Sequence, residues 1–554
     1  MRNPMKEFLF LLIFSISVTA QIRYETKAVW LTTNYGLDWP HTTNPAEQKK
    51  SLEEIFDSIK AKNLNTVYFQ VRGNGYVLFR SSFEDFSPRV TGFSKQPPEF
   101  DPLEYALKLA RERSLELHAW INVLKIYGTR FQRKPESERH LLNKHPEWIY
   151  KVVENGITSY WLNPALPGVR EYIVNLIAEL VRNYNVDGIH LDFLRYSNLG
   201  IDDGKIKNRN EKDTGDWRRN NITKLLEEIF HTVKNINPLI EVGVTPVGIN
   251  KNTRSIRGME GYNEVYQDSE EWVARGIVDY LAPQIYWDIE NNPKFEDVLN
   301  QWLKIAGNIN LVAGIAAYKP WVLNQIDDII KIVRRKTGTG YALFRYENIK
   351  NLRISDFNDL TLPPRKEIAD FDGENESLKI TSTGFSGNKL RIKWSYPDSL
   401  KRGVRAYLVL VKNNKNGFQP VKIVNNDCDS VGIEFNKFDR LIYRFKILPL
   451  NIVWKPLQNS GGMAEVYNHK LLKLSTAGHG FTKPVLLKKG NKLKIVITSG
   501  GNESVKIYSK TGNGFNLVRQ SAIQKGINVL SINKTSRTEE ILILLGGREY
   551  LLKF

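Results

Sequence analysis

From residue 25 to about 350 the chain alternates short apolar runs with longer stretches of helical period, and this leaves few folds open to it. Eight runs rich in β-branched and aromatic residues stand out: KAVWLTT (27–33), NTVYFQVR (65–72), LELHAWIN (115–122), GIHLDFLRY (188–196), IEVGVTPV (240–247), VDYLAPQIYW (278–287), INLVAGIAAY (309–318) and TGYALFRY (339–346). Between them, segments such as 51–63, 101–114, 168–184, 221–236 and 322–335 place apolar residues three and four apart, the spacing of a helix with one buried face. Asp101-Pro102 supplies a cap and a first-turn proline, and Asn163-Pro164 opens the segment before 168. Strand–helix alternation predicts a parallel sheet with crossover helices. Eight such units favour a closed (β/α)8 TIM barrel over an open doubly wound sheet, and no GxGxxG follows the first run.

The barrel is expected over residues 21–362. Pro363-Pro364-Arg365 and the acidic stretch behind it read as a linker, 363–377. Short alternating strands with Gly and Asn turns then predict a β-sandwich of fibronectin type III character over 378–460, and a second β-rich unit over 461–554. Residues 1–20 have the build of a signal peptide. Arg2 and Lys6 precede the apolar run FLFLLIFSISV, and small residues end at Ala20. That run is too short to span a bilayer, so no stable membrane insertion is expected. Cys428 is the sole cysteine, which excludes an intramolecular disulfide and a cysteine metal cluster. A secreted or periplasmic location fits these features.

The net charge of +19 points to an anionic partner. Nucleic acid is not expected, because the basic residues are dispersed and no zinc-finger spacing, RNP motif or basic helix is present. An anionic wall polymer or a membrane surface remains open, beside the plainer reading of a lysine-rich proteome.

Side chains two apart on a strand share a face. This pairs His190 with Asp192 on the fourth run, and Gln70 with Arg72 on the second. It groups His118, Trp120 and Asn122 on the third run, and Gln284, Tyr286 and Asp288 on the sixth, with Trp287 opposite. Arg195 and Tyr196 follow Asp192 directly, and Glu347 follows the eighth run. Carboxylates for proton transfer, aromatic faces for sugar C–H surfaces, and amides and Arg for hydroxyls make up the chemistry of a sugar site. Asp192 is the expected catalytic acid, with Asp288 or Glu347 as a second carboxylate. Gln70, Arg72, His118, Trp120, Asn122, His190, Arg195, Tyr196, Gln284, Tyr286 and Trp287 are the expected substrate contacts. No cofactor or metal is expected. The plainer alternatives are an Asp192 caged by Arg195 or Arg72, core histidines at 118 and 190, and core tryptophans. A metal-dependent deacetylase built on His118, His190 and Asp192 is a further alternative, resting on HxD spacing alone.

The stretches KAVWLTTNYGLDWP (27–40), NTVYFQVRGNGYVLF (65–79), LELHAWIN, HPEW (145–148), VDGIHLDFLRY (186–196), DWRRNNI (216–222) and DSEEWVARGIVDYLAPQIYW (268–287) resemble the glycosyl hydrolase-like 10 family of bacterial secreted proteins. The resemblance spans roughly residues 25–350. It implies a TIM barrel and hydrolysis of glycosidic bonds, with peptide-stripped peptidoglycan glycan strands as the substrate class. The family commonly has two adjacent acids at the end of the fourth strand. Here the first matches Asp192 and the second position is Phe193, which leaves a non-catalytic glycan-binding protein as the rival reading.

Overall fold

The structure, a computed structural model, describes residues 22–92, 96–128, 135–199, 214–336 and 340–365 and, with gaps, 378–467 and 484–553. The expected leader and residues 366–377 of the expected linker lie outside the described residues.

Each of the eight apolar runs supplies a parallel strand: β1 (Thr26–Leu31), β2 (Thr66–Gly73), β3 (Glu116–Asn122), β4 (Gly188–Asp192), β5 (Glu241–Val244), β6 (Tyr280–Leu281), β7 in two pieces (Asn310–Leu311 and Ala313–Ile315) and β8 (Gly340–Leu343). The first piece of β7 pairs with β6 and the second with β8, which pairs with β1, so the ring closes in sequence order. Helices α1 (Pro45–Ala61), α2 (Pro102–Glu112), α3 (Pro167–Asn183), α4 (Thr214–Ile236), α5 (Ser269–Ala274), α6 (Phe295–Ala306), α7 (Ile326–Lys336) and α8 (Tyr346–Ile349) follow the strands one by one. Their starts are chemically marked. Asn44 caps α1 through hydrogen bonds from the backbone N–H of Ala46 and Glu47, and Asp101 caps α2 through that of Glu104. The apolar residues between the strands and the helices form one continuous core.

Inside the ring a second, smaller cluster joins Trp30, Tyr68, Trp120 and Tyr280 to Ala28, Ala282, Val312 and Ala342. Large rings on some strands require small residues opposite, which explains two glycines. A Cβ on Gly243 would lie 1.9 Å from the Tyr280 ring, and one on Gly188 would lie 2.3 Å from the His118 ring.

The long loop after β3 carries a three-stranded antiparallel sheet, Lys125–Gly128, Ile149–Glu154 and Ile157–Leu162. The barrel begins and ends at one place. The Glu25 N–H donates to the Leu362 carbonyl (2.8 Å), and the Leu362 N–H donates to that of Arg23 (3.0 Å).

The chain beyond 362 does not leave the barrel at once. Arg365 is buried at the floor, donating to Glu116 (2.7 Å) and to the carbonyls of Leu239 (2.8 Å) and Asp187 (2.9 Å). Trp454, fully buried, donates its indole N–H to the same Glu116 carboxylate (2.8 Å). Residues 396–428 and 447–461 belong to the same compact unit as the barrel. They include the antiparallel pair Val404–Asn413 and Gly417–Asn425. A second compact unit holds residues 379–395, 429–446 and 462–554. Lys379–Ser386, Lys389–Ser395 and Ser430–Glu434 make one antiparallel sheet in it. A three-stranded and a four-stranded sheet between Val485 and Lys553 share a core of Leu493, Ile495, Ile507, Ile541 and Ile543.

Burial alone would raise the Glu116 pKa, but Arg365 beside it, with His118 and Arg405, holds it well below the usual carboxylate range. The variant R365M strands that charge in the interior. It is expected to cost about 3–5 kcal/mol, read as a lower urea midpoint by tryptophan fluorescence. R365M/E116Q is expected to recover part of the loss. An unchanged R365M midpoint would mean that the pair does not stabilise the barrel.

Candidate functional site

The strand register decides which polar groups reach the mouth. Asn122 of β3 lies beside Asp192 of β4, Trp120 beside His190 one level down, and His118 beside Gly188 below that. Asp192 therefore tops β4 at the C-terminal rim, the end where barrels of this kind place their chemistry. Its Oδ1 accepts from the Phe193 backbone N–H (2.7 Å) and its Oδ2 from the Trp120 indole (3.2 Å). Burial pushes its pKa up to about 6, against the pull of the Phe193 N–H, Arg195, Trp120 and Lys125. Its leading electrostatic neighbours are thus cations and donors, not a second acid.

An aromatic pit surrounds this carboxyl. Phe344 lies 6.4 Å from Trp120, 5.8 Å from Trp30 and 5.8 Å from Tyr286, ring centre to ring centre. Tyr286 packs edge-on against Tyr318 at 6.0 Å, and Tyr318 is well exposed. Burial, then the proximity of Asp192 and Tyr318, drives the Tyr286 pKa far up, so it stays a hydroxyl donor. On the other side Phe193 packs against Trp161, with Arg195 and Lys125 over both rings. Arg195 lies over these rings without a clamp on Asp192 and donates to the Tyr196 carbonyl (3.1 Å).

Gln70 and Asn122 form the rim next to Asp192. Gln70 Oε1 accepts from the backbone N–H of Thr33 (3.0 Å) and Asn34 (2.9 Å), and its Nε2 donates to Asn122 Oδ1 (3.2 Å). This fixes the Asn122 amide with its NH2 as the remaining donor. Gln284 and Trp287 are half-buried on the loop after β6, with Trp287 against Gly248 and Gly258.

Several expected site residues have other duties. The ladder shifts register between Gln70 and Arg72, so Arg72 leaves the face that Gln70 occupies. Arg72 is buried in a two-pronged pair with Glu84 (2.8 and 2.6 Å) and is not a substrate contact. His118 and His190 lie below the mouth, in a directional chain. The Trp30 indole donates to His190 Nε2 (2.9 Å), which leaves the His190 proton on Nδ1, facing the Tyr280 hydroxyl (3.0 Å). That hydroxyl also meets His118 Nδ1 (2.9 Å), and His118 Nε2 faces Glu116 (3.3 Å). Burial, then His118, pushes the His190 pKa well down, so the ring is neutral. These two histidines are core residues, and the deacetylase arrangement with Asp192 is not formed. Glu116, His118 and Glu241 cluster closely enough to hold a cation, but the Arg365 guanidinium already lies against both carboxylates.

Trp120 is a buried partner of Asp192 rather than an open platform. Tyr196 is fully buried, its hydroxyl meeting Asn221 (3.3 Å). Asp288 caps a turn, accepting from the N–H of Glu290 (2.9 Å) and Asn291 (2.7 Å) and from the Asn291 amide (2.9 Å). Burial would raise its pKa, yet these bonds and Lys319 hold it below the usual range, so it stays ionised at neutral pH. Glu347 pairs with Lys350 on α8 (2.5 Å). Neither is among the leading electrostatic neighbours of Asp192. Sequence reasoning missed Trp30, Phe344, Trp161 and Asp38. Asp38 accepts from the backbone N–H of Thr32 (2.8 Å) and Glu347 (2.8 Å) and pairs with Arg345, tying the β1 loop to the one after β8.

Residues 25–328 match the family model described as glycosyl hydrolase-like 10. The chain is 31% identical to "Glycosyl hydrolase YngK" of Bacillus subtilis over 447 residues, 73% of this chain and 86% of that protein. It is 32% identical to "Glycosyl hydrolase DigH" of Escherichia coli K12 over 337 residues, 55% of this chain and 75% of that protein. Among solved structures it is similar to the PgaB (BpsB) glycoside hydrolase domain from Bordetella bronchiseptica, with 13% identity and a TM-score of 0.41 over 59% of this chain and 96% of that one. With a rim-borne acid on a closed parallel barrel and a family match over more than half its length, the chain belongs to the glycosyl hydrolase-like 10 family.

Proposed function

We propose that this chain is an exported glycoside hydrolase acting on a β-linked amino-sugar polymer, with peptide-free peptidoglycan glycan strands as its substrate. The observation that carries the reading is Asp192: a carboxyl at the barrel mouth, walled by aromatic rings, with its pKa pushed up to about 6 by burial. Such a group holds a proton near neutral pH and can pass it to a leaving glycosidic oxygen.

No second acid shares the pit with Asp192 among its leading neighbours. A substrate with an N-acetyl group supplies its own nucleophile, since the acetamido carbonyl oxygen can attack the anomeric carbon. In that scheme Asp192 protonates the departing oxygen as the C–O bond breaks. The ring intermediate is then opened by water, whose proton returns to Asp192. Tyr286 stands beside Asp192 as a donor to orient the acetamido group, and the Asn122 NH2 binds a hydroxyl. The rival reading, a glycan-binding protein without turnover, draws on the same absence of a second acid. Residues 1–20 would be removed on export. The sheet order in 379–434 supports a fibronectin type III reading of 378–460.

Release of reducing ends from peptide-free peptidoglycan tests the reading, and D192N is expected to lose about 10²-fold or more in rate. Binding without new reducing ends would favour the binder, and full activity in D192N would remove Asp192 from the mechanism. As the acid must be protonated, kcat/KM is expected to be highest below pH 6 and to fall about tenfold per unit above it; a profile flat to pH 8 would exclude an acid with this pKa. The same shift acts on folding. A carboxyl whose pKa is higher in the folded chain than in the unfolded one contributes stability fully below about pH 4, and loses it as pH rises through about 6. D192N is therefore expected to be more stable than the natural chain at pH 7.5, by on the order of 2 kcal/mol. The gap in melting temperature should close towards pH 4.

A further inference from the structure

Beside the Asp192 pit the rim carries a cavity of about 510 Å³, built from the loops after β1 and β2. Asn34, Tyr35, His41, Asn74, Tyr76 and Arg89 give it its polar and aromatic character. It shares a wall with the pit, because Gln70 holds the Asn34 backbone N–H (2.9 Å) with one end of its amide and Asn122 (3.2 Å) with the other. Asn122 is the register neighbour of Asp192.

The walls are held in place from behind. The Asn74 amide donates to Asn34 Oδ1 (2.9 Å), which ties the two loops together. A Cβ on Gly73 would fall 2.0 Å from that same oxygen, so only glycine allows the approach. Buried His140 donates from Nε2 to the Asn74 carbonyl (2.9 Å), while its Nδ1 accepts from the Leu142 N–H (3.2 Å). Burial keeps this ring neutral by pushing its pKa down. Tyr35 sits at a left-handed φ of 60°, a conformation disfavoured for a residue with a side chain, and it lines the cavity. The Arg89 guanidinium passes over the adjoining turn, 3.8 Å from where a Cβ on Gly36 would stand.

The charge in this cavity has one sign. None of the described residues that line it is an acid. Arg89 is exposed, and its guanidinium makes no ion pair among the described residues. Hydroxyls, amides and tyrosine rings suit a pyranose, and a lone guanidinium with no competing carboxylate suits a carboxylate on that ring.

We propose that this cavity is a sugar subsite continuous with the Asp192 pit, and that Arg89 within it selects a sugar bearing a carboxylate. The proposal rests on the glycan reading of the pit and deepens it, assigning the specificity for acidic strands to a residue outside the catalytic group.

The test compares two tetrasaccharides of equal length. One alternates N-acetylglucosamine with N-acetylmuramic acid, whose lactyl group carries the carboxylate. The other is chitotetraose, the same backbone without it. Titration calorimetry is done on full-length D192N and D192N/R89Q, so that affinity is read without turnover. D192N is expected to prefer the acidic probe by about tenfold or more, the worth of one charge-assisted hydrogen bond. In D192N/R89Q that preference should collapse to within about twofold. Equal affinity for the two probes in D192N, or a preference that survives R89Q, would overturn the proposal. Because binding is measured apart from cleavage, a natural chain that releases no reducing ends would defeat the hydrolase reading alone.

Discussion

The Arg365 guanidinium beside Glu116 keeps that acid ionised where burial alone would neutralise it. The ionised Glu116 faces His118 Nε2 at 3.3 Å. The Tyr280 hydroxyl meets His118 Nδ1, His190 Nδ1 and the Tyr68 hydroxyl, and His190 in turn accepts from Trp30. One charge pair at the floor thereby anchors a run of polar contacts up the barrel axis. Trp120, one strand level above His118, receives a fixed floor to stand on and presents its N–H to Asp192. The cation comes from beyond the last barrel strand, so the ring and the chain that follows it are energetically one object.

Asp192 sits between opposing influences. Its surroundings remove water, which favours the neutral acid, while Arg195 and Lys125 are held near the rings of Phe193 and Trp161, close enough to favour the anion. The balance leaves a proton that can be given up and taken back near neutral pH. Phe193 stands where the resemblance implies a second acid, and its part is structural as much as chemical. Its ring forms a wall of the pit, and its backbone, at a φ of 52°, turns its N–H onto the carboxylate.

The barrel was legible because eight apolar runs and the helical stretches between them follow two plain periods, and a strand buried on both faces has little other destination. The facing of Asp192 was legible for the same reason. Depth was not. Which of His118, Trp120 and Asn122 reaches the mouth depends on how far each strand is staggered against its neighbours, and stagger leaves no mark in a single strand's letters. Arg72 was misplaced by one shift in register. Asp288 was misread because the end of a strand and the start of a turn look alike until Asn291 is seen folding back to it. Phe344 and Trp30 were hidden by their ordinariness, apolar residues in apolar runs whose value comes only from what stands across the ring.

The hydrogen bonds that join residues 23 and 25 to Leu362 bring the entrance and the exit of the barrel side by side. A unit threaded in and out through a single doorway can be carried within a longer polypeptide with little disturbance to its interior, provided the following segments that supply Arg405 and Trp454 travel with it. The second compact unit is then free to diverge in sequence while the barrel stays intact. Arg365 and Trp454, both against Glu116, mark how much of the following chain must travel with the barrel.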